Sequence, residues 1–211
     1  RLDTRMESVK VLGLVNITVL AAGSIFTGSV HEPIKGTKNP QKMLQTGIPF
    51  TKKPVALQFD YKVKMSDREN RIRATGFSKI TDVPGKDYPA AILLLQKRWE
   101  DANGNVYAKR IGTMVTYYYH STDWKNNVTY EIMYGDITNR PEYKAHMMRL
   151  QATESYTVNS KGESVPIHEV AWGDENDVPT HMYIQFTSSH GGAYIGSPGN
   201  TLWVDNVKLV Y

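Results

Sequence analysis

The chain has 211 residues, 40% of them hydrophobic and 22% charged, a composition that folds around a core and excludes wholesale disorder. Lys and Arg number 25 against 21 Asp and Glu, and the resulting net charge of +4 is focused by no dense basic run, so nucleic acid is not an expected partner. There is no cysteine, which excludes disulfides, zinc–thiolate sites, iron–sulfur clusters and thiol nucleophiles.

The sequence opens at Arg1 with no recognisable secretion signal and reads as the C-terminal part of a longer protein with a neighbouring domain upstream. From Val11 to Val30 there is no charge, a length that could span a bilayer. Gly13, Asn16, Thr18, Gly23, Ser24 and Thr27 interrupt it, so the stretch predicts two strands about a bend at 21–24 and no transmembrane helix. Over Pro54–Lys64 the chain alternates: Val55, Leu57, Phe59, Tyr61 and Val63 take the core side, and Ala56, Gln58, Asp60, Lys62 and Lys64 the wet side. Ala90–Glu100 predicts a strand, and Asp101-Ala102-Asn103-Gly104 a turn with Gly104 in the left-handed region. That register sets Trp99 opposite Tyr107 and Leu95 opposite Ile111, with Trp99 core-facing in phase with Leu93 and Leu95.

The return strand runs over Val106–His120. Ile111, Thr113, Val115, Tyr117 and Tyr119 form its core side, and Met114, Thr116 and Tyr118 its wet side. Val128–Tyr134 predicts a further strand. Arg140–Leu150 is the one helix expected, with Pro141 in its first turn and Glu142 at its positive end. Tyr183–Thr187 and Leu202–Tyr211 predict the closing strands. Many strands joined by turns, with at most one short helix, define an all-β fold: an antiparallel β-sandwich or jelly roll.

Few constellations point to chemistry. No Gly-x-Ser-x-Gly elbow is present, and Ser188-Ser189-His190-Gly191-Gly192 reads as a turn rather than part of a Ser/His/acid triad. The six histidines lack ligand spacing, so no histidine metal site is expected. Asp174, Glu175 and Asp177 cluster after Trp172-Gly173, which leaves open either an acidic pair for glycoside hydrolysis or an oxygen shell for calcium. Asp205 is in phase with Trp203, Val207 and Leu209, which read as core. A buried carboxylate there calls for a backbone cap or a structural calcium. Planar side chains stack on sugar rings while polar groups take the hydroxyls. On that logic Trp124, in the polar stretch 121–127 between strands, and Trp172 are candidate platforms. Tyr118, Gln58 and Asp60 are candidate partners on the wet sheet face.

Three blocks then stand out in order: Ala21-Ala22-Gly23-Ser24-Ile25-Phe26-Thr27-Gly28; Gly47-Ile48-Pro49-Phe50 leading into Phe59-Asp60-Tyr61-Lys62; and Phe186-Thr187-Ser188-Ser189 leading to Leu202-Trp203-Val204-Asp205-Asn206-Val207. Together they resemble the PCMD family, the putative carbohydrate metabolism domain of Bacteroidetes surface proteins. The resemblance implies a single β-sandwich domain over 1–211, akin to carbohydrate-binding modules, in an exported, lipid-anchored cell-surface protein whose partner is carbohydrate. It supplies no catalytic set. Three functions remain open: a non-catalytic glycan-recognition domain without cofactor, a jelly-roll glycoside hydrolase using loop carboxylates, and a structural or adhesive surface domain.

Overall fold

The computed structural model describes residues 1–11, 15–30, 39–76, 79–147, 150 and 155–211. Among these, the strands in chain order are β1 (Leu2–Val11), β2 (Val15–Ala22), β3 (Ser24–Phe26), β4 (Gly28–Val30), β5 (Leu44–Thr46), β6 (Ile48–Pro49), β7 (Ala56–Lys64), β8 (Arg71–Arg73) and β9 (Thr81–Val83). They continue as β10 (Ala90–Glu100), β11 (Val106–Tyr117), β12 (Thr122–Glu131), β13 (Met133–Tyr134), β14 (Tyr156–Val158), β15 (Ser164–Trp172), β16 (His181–Thr187), β17 (Ile195–Gly196) and β18 (Thr201–Val210). A single 3-10 turn, Pro40–Met43, leads into β5, and no helix among the described residues is long and apolar enough to cross a membrane.

The architecture is the β-sandwich expected from the alternating sequence, with one elaboration. A five-stranded sheet in the order β12-β7-β18-β1-β2 packs on a larger sheet in the order β3-β16-β10-β11-β15-β14-β5-β4. Pairing is antiparallel apart from β11 with β15 and β14 with β5. The core lies between the sheets. Leu57, Phe59 and Val63 of β7 meet Leu93 and Leu95 of β10 and Met182, Ile184 and Phe186 of β16. Each such side chain contributes about 1.5–3 kcal/mol by leaving water.

The larger sheet curls until it nearly closes. Its terminal strands, β3 and β4, are separated in sequence only by Thr27. Beyond Gly47, β6 leaves the β5 side of the curl and pairs with β16, at Met182 and His181. Two glycines make these joints. Gly28 has φ +149, and a Cβ there would lie 2.0 Å from the Gln45 carbonyl oxygen. Gly47 has φ +88, and its Cβ would lie 2.6 Å from the Arg98 guanidinium.

Alternate residues of β10 therefore serve two interiors. Ala91, Leu93 and Leu95 face the sandwich, whereas Ile92 and Leu94 pack inside the curl with Val115 and Tyr183. Deeper in the curl lies a polar lattice. The Arg110 guanidinium, fully buried, donates to Glu169, with Nε–Oε1 at 2.5 Å. Gln96 Nε2 donates to the same oxygen at 2.6 Å, and Arg98 Nη1 crosses the lumen to the Thr46 carbonyl at 2.8 Å. Burial pushes the Arg98 guanidinium down to about 10, against the pull of Glu169.

Several expectations are corrected. Trp99 does pair with Tyr107, and Gly104 is left-handed at φ +90, but Leu95 faces Gly112. A bulge at Ile111 advances the register by one residue there. Trp99 is 42% exposed and stacks on Tyr107, because β16 accompanies β10 only as far as Gln96. Arg140–Met147 is a series of turns closed by i to i−3 bonds such as Tyr143 N–H to Arg140 O, too short a stretch to repay helix nucleation. Residues 148–149 of that expected helix lie outside the described residues. Val55 precedes its strand and is exposed.

Candidate functional site

The sequence-derived candidates separate in space. Tyr118 does not face water. It is 6% exposed in the sandwich core, its ring 4.6 Å from that of Tyr61, and burial holds its phenol well above the usual range. Trp124 sits within β12 rather than between strands and is exposed, while Trp172 ends β15 on the other sheet with the Arg110 guanidinium 5.8 Å from its ring centroid.

Gln58 and Asp60 do lie on the outer side of β7, but both are engaged. Gln58 Nε2 donates to Thr129 Oγ1 at 2.5 Å. Asp60 accepts the Asn127 N–H at 2.5 Å and the Asn206 amide at 2.7 Å. Asn127 and Asn206 are left-handed residues, φ 53 and 51, at bulges in β12 and β18 on either side of β7. The Asn127 N–H, then the Asn206 amide, hold the Asp60 carboxyl below the usual carboxylate range. Asp60 thus pins two bulges at one level.

The two other expected features also resolve. Asp205 is exposed, because the bulge between Asp205 and Lys208 breaks the phase on which its burial was inferred. Its Oδ1 accepts the Asn206 N–H at 2.8 Å, a local backbone cap. Trp203 is half-buried, with the cations of Arg1 and Lys62 over its ring. The acidic loop folds on itself: Asp174 N–H donates to Asp177 Oδ2 at 3.0 Å, and Lys97 Nζ holds Asp177 Oδ1 at 2.9 Å. Among the described residues no group of three His, Asp or Glu side chains forms a metal shell.

The most enclosed of the clefts among the described residues is elsewhere, within the curled sheet. A cleft of about 240 Å³ runs between β5, β10, β11 and β16. Tyr117, Tyr183 and His190 give it rings, and Gln41 and Gln185 give it amides. Ile92 and Leu44 contribute apolar surface. No Asp, Glu, Lys or Arg is among the described lining residues. Tyr183 donates to Gln185 Oε1 at 2.8 Å, which orients that amide and leaves its NH₂ as donor.

The wall behind His190 is built on a buried carboxylate. Asp87, buried, accepts Ser189 Oγ–H at 2.9 Å and the His190 N–H at 3.2 Å on one oxygen. The other oxygen takes the Ser197 N–H at 2.9 Å and Asn200 Nδ2 at 3.2 Å. This is not a hydrolytic triad. The serine gives its proton to the acid and not to an imidazole, and it is buried. His190 Nδ1 is engaged on the protein side, 2.9 Å from the Tyr88 N and 3.2 Å from Asp87 Oδ1, so Nε2 is the ring nitrogen left for the cleft.

From His190 an aromatic belt continues outward. The Tyr117 ring lies 4.8 Å from that of His190 and 4.7 Å, stacked, from that of His146. Tyr88 joins His190 and Tyr119 at 5.4 and 4.7 Å. Beyond Tyr117 opens a second cleft of about 350 Å³ with Glu131, Glu142, Lys144 and His146 in its walls. Burial first, then the charge of Lys144, pulls the His146 imidazole down.

Sequence reasoning missed Asp87, Tyr88, Tyr117, His146, Tyr183, Gln185 and His190. The signal that was available was the density of rings in Tyr117-Tyr118-Tyr119-His120, assigned to the opposite faces.

Fold and cleft together define an all-β domain with an aromatic pocket inside a curled sheet. The chain belongs to the PCMD family, "Putative carbohydrate metabolism domain", whose model matches residues 1–210. Two crystal structures share the fold. A putative glycoside hydrolase from Bacteroides thetaiotaomicron is 18% identical, with a TM-score of 0.53 over 99% of this chain and 57% of that one. A putative glycoside hydrolase from Bacteroides vulgatus is 15% identical, with a TM-score of 0.50 over 90% of this chain and 65% of that one. The chain therefore spans less than two thirds of the length of either. No curated protein sequence matches it.

Proposed function

We propose that the protein is a non-catalytic glycan-recognition domain and that the cleft between Tyr117, Tyr183 and His190 holds a sugar ring. One observation carries this reading: the cleft combines rings and amides with no charged side chain among its described lining residues. Rings pack on the C–H faces of a sugar, and the Gln41 and Gln185 amides and His190 Nε2 exchange hydrogen bonds with its hydroxyls. Glycoside hydrolysis needs an acidic pair across the bond. Asp87, behind the wall, has its oxygens occupied by protein donors. Binding of this kind falls in the millimolar to micromolar range, roughly −4 to −8 kcal/mol. Export to the cell surface belongs to the same proposal, and a full-length reading frame without a secretion signal would count against it.

A second reading, hydrolysis, is favoured by Glu131 and Glu142 in the adjoining cleft and by the names of the two similar structures. A glycan array on the purified domain tests both. Recognition expects retention that is lost on Tyr117→Ala and kept on Trp124→Ala, with no new reducing ends on prolonged incubation. Release of reducing ends, abolished by Glu131→Gln or Glu142→Gln, would replace recognition by hydrolysis.

A further inference from the structure

We propose that the ligand is an uncharged, linear oligosaccharide laid across two subsites, one on each side of Tyr117; this rests on the recognition reading above. Tyr117 is the one described residue that lines both clefts. Its ring contacts two imidazoles, His190 of the inner cleft and His146 of the outer one. The three rings form one unbroken aromatic wall. A chain of sugar rings with one ring in each cleft would pass over Tyr117, the residue the two clefts share.

Size sets the division. At about 240 and 350 Å³ the clefts fall at or below the low end of the ~300–1,000 Å³ typical for a drug-sized ligand, so each takes one ring rather than several. Charge sets the class. Among the described lining residues the inner cleft has no charged side chain, and the outer one carries Glu131 and Glu142 against Lys144. A polyanionic chain would meet net repulsion in the outer subsite and find no cation in the inner one. A neutral chain meets neither penalty. The inner subsite, walled by the Asp87 network, is the primary one, and the outer subsite extends it.

Calorimetry on ladders of one to six residues tests this, using cello-, laminari-, xylo- and manno-oligosaccharides, with oligogalacturonates as the anionic ladder. In the neutral ladder that binds, affinity rises by about tenfold or more from one ring to two or three, because the second ring binds intramolecularly, and then levels off. His146→Ala removes that rise and leaves single-ring affinity within about twofold. Gln185→Ala weakens every length alike. Thermal melts of both variants within a few degrees of the parent, as expected for side chains at a cleft rim, separate these effects from misfolding. Affinity independent of length, a length gain that survives His146→Ala, or an oligogalacturonate ladder binding as tightly as the best neutral one overturns the inference and leaves recognition standing. Absence of binding to every ladder takes the recognition reading with it.

Discussion

Replacing Asp87 by asparagine should unfold the wall of the cleft before it touches anything else. The carboxylate accepts four hydrogen bonds, from Ser189 Oγ, His190 N, Ser197 N and Asn200 Nδ2, all in a site closed to water. An amide of the same shape keeps one acceptor oxygen and turns the other into a donor. If the NH₂ replaces the oxygen bonded to Ser197 and Asn200, two buried donors lose their acceptor. If it replaces the other oxygen, the Ser189 hydroxyl can turn to accept, and the His190 N–H is left unpaired. Each orphaned buried donor costs ~1–3 kcal/mol, so Asp87→Asn should lose about 3 kcal/mol. In a chain of this size that is a fall in Tm of roughly 6–12 °C. Urea denaturation followed by tryptophan fluorescence measures it, with the exposed Glu69→Gln as a control expected within ~0.5 kcal/mol. A loss below ~1 kcal/mol would show that water reaches the network, and the account of the wall as a sealed hub would be wrong.

Three further outcomes follow from the geometry. Gly47→Ala should cost more than Gly162→Ala in thermal melts: both are left-handed, but a Cβ at 47 meets Arg98 at 2.6 Å and one at 162 meets nothing within 4 Å, so the backbone term of ~1–2 kcal/mol is shared and the excess reports Arg98 displaced from Thr46. Tyr118→Ala should lose ~3–5 kcal/mol as a core cavity, whereas Trp124→Ala should stay within ~0.5 kcal/mol, and equal effects in denaturation would contradict the placement of both rings. His181, half-buried, has its imidazole pulled down to about 4 by burial and then by Arg98, so as pH falls below the ordinary value of 6.5 the unfolded chain takes up the proton first. Stability is therefore complete above pH 6.5 and is lost between 6.5 and 4. The full linkage of ~3 kcal/mol is screened at a half-exposed ring to about 1 kcal/mol, and His181→Gln should flatten that part of the pH–stability curve.

Much of the sandwich was legible because one of its sheets obeys the simplest rule. Leu57, Phe59 and Val63 alternate with polar residues since only one side of β7 meets the core. The return strand defeated the same rule for two physical reasons. Val115 and Tyr117 pack inside the curl while Met114 and Tyr118 pack in the sandwich, so both sides of β11 are covered and periodicity cannot say which is outermost. The bulge at Ile111 then exchanges the sides partway along, which puts Ile111 in the same core as Met114. The hairpin at Asn103-Gly104 was readable because its information is local. The cleft was not, because Gln41, Ile92, Tyr117 and Gln185 reach it from four distant segments. Asp60 was read as lying on a wet face, but it is buried, because two left-handed asparagines that nothing local announced engage it.

The near-closure of the larger sheet has a consequence for how the chain must be made. The seam lies in the first quarter of the sequence, at Thr27 and Gly47, yet the strand it seals is β16. Thr27 Oγ1 donates to the Met182 carbonyl, a contact 155 residues apart in sequence. As the chain is synthesised, β10 and β11 can pair at once, but the edge of β10 that β16 will cover stays bare until about 80 further residues have been added. Contacts of such separation are the slow ones, and an uncovered strand edge is a template for pairing with another chain. A version ending before His181 should accordingly not be a smaller domain but an open sheet that aggregates, and the last 31 residues decide whether the preceding ones become soluble protein.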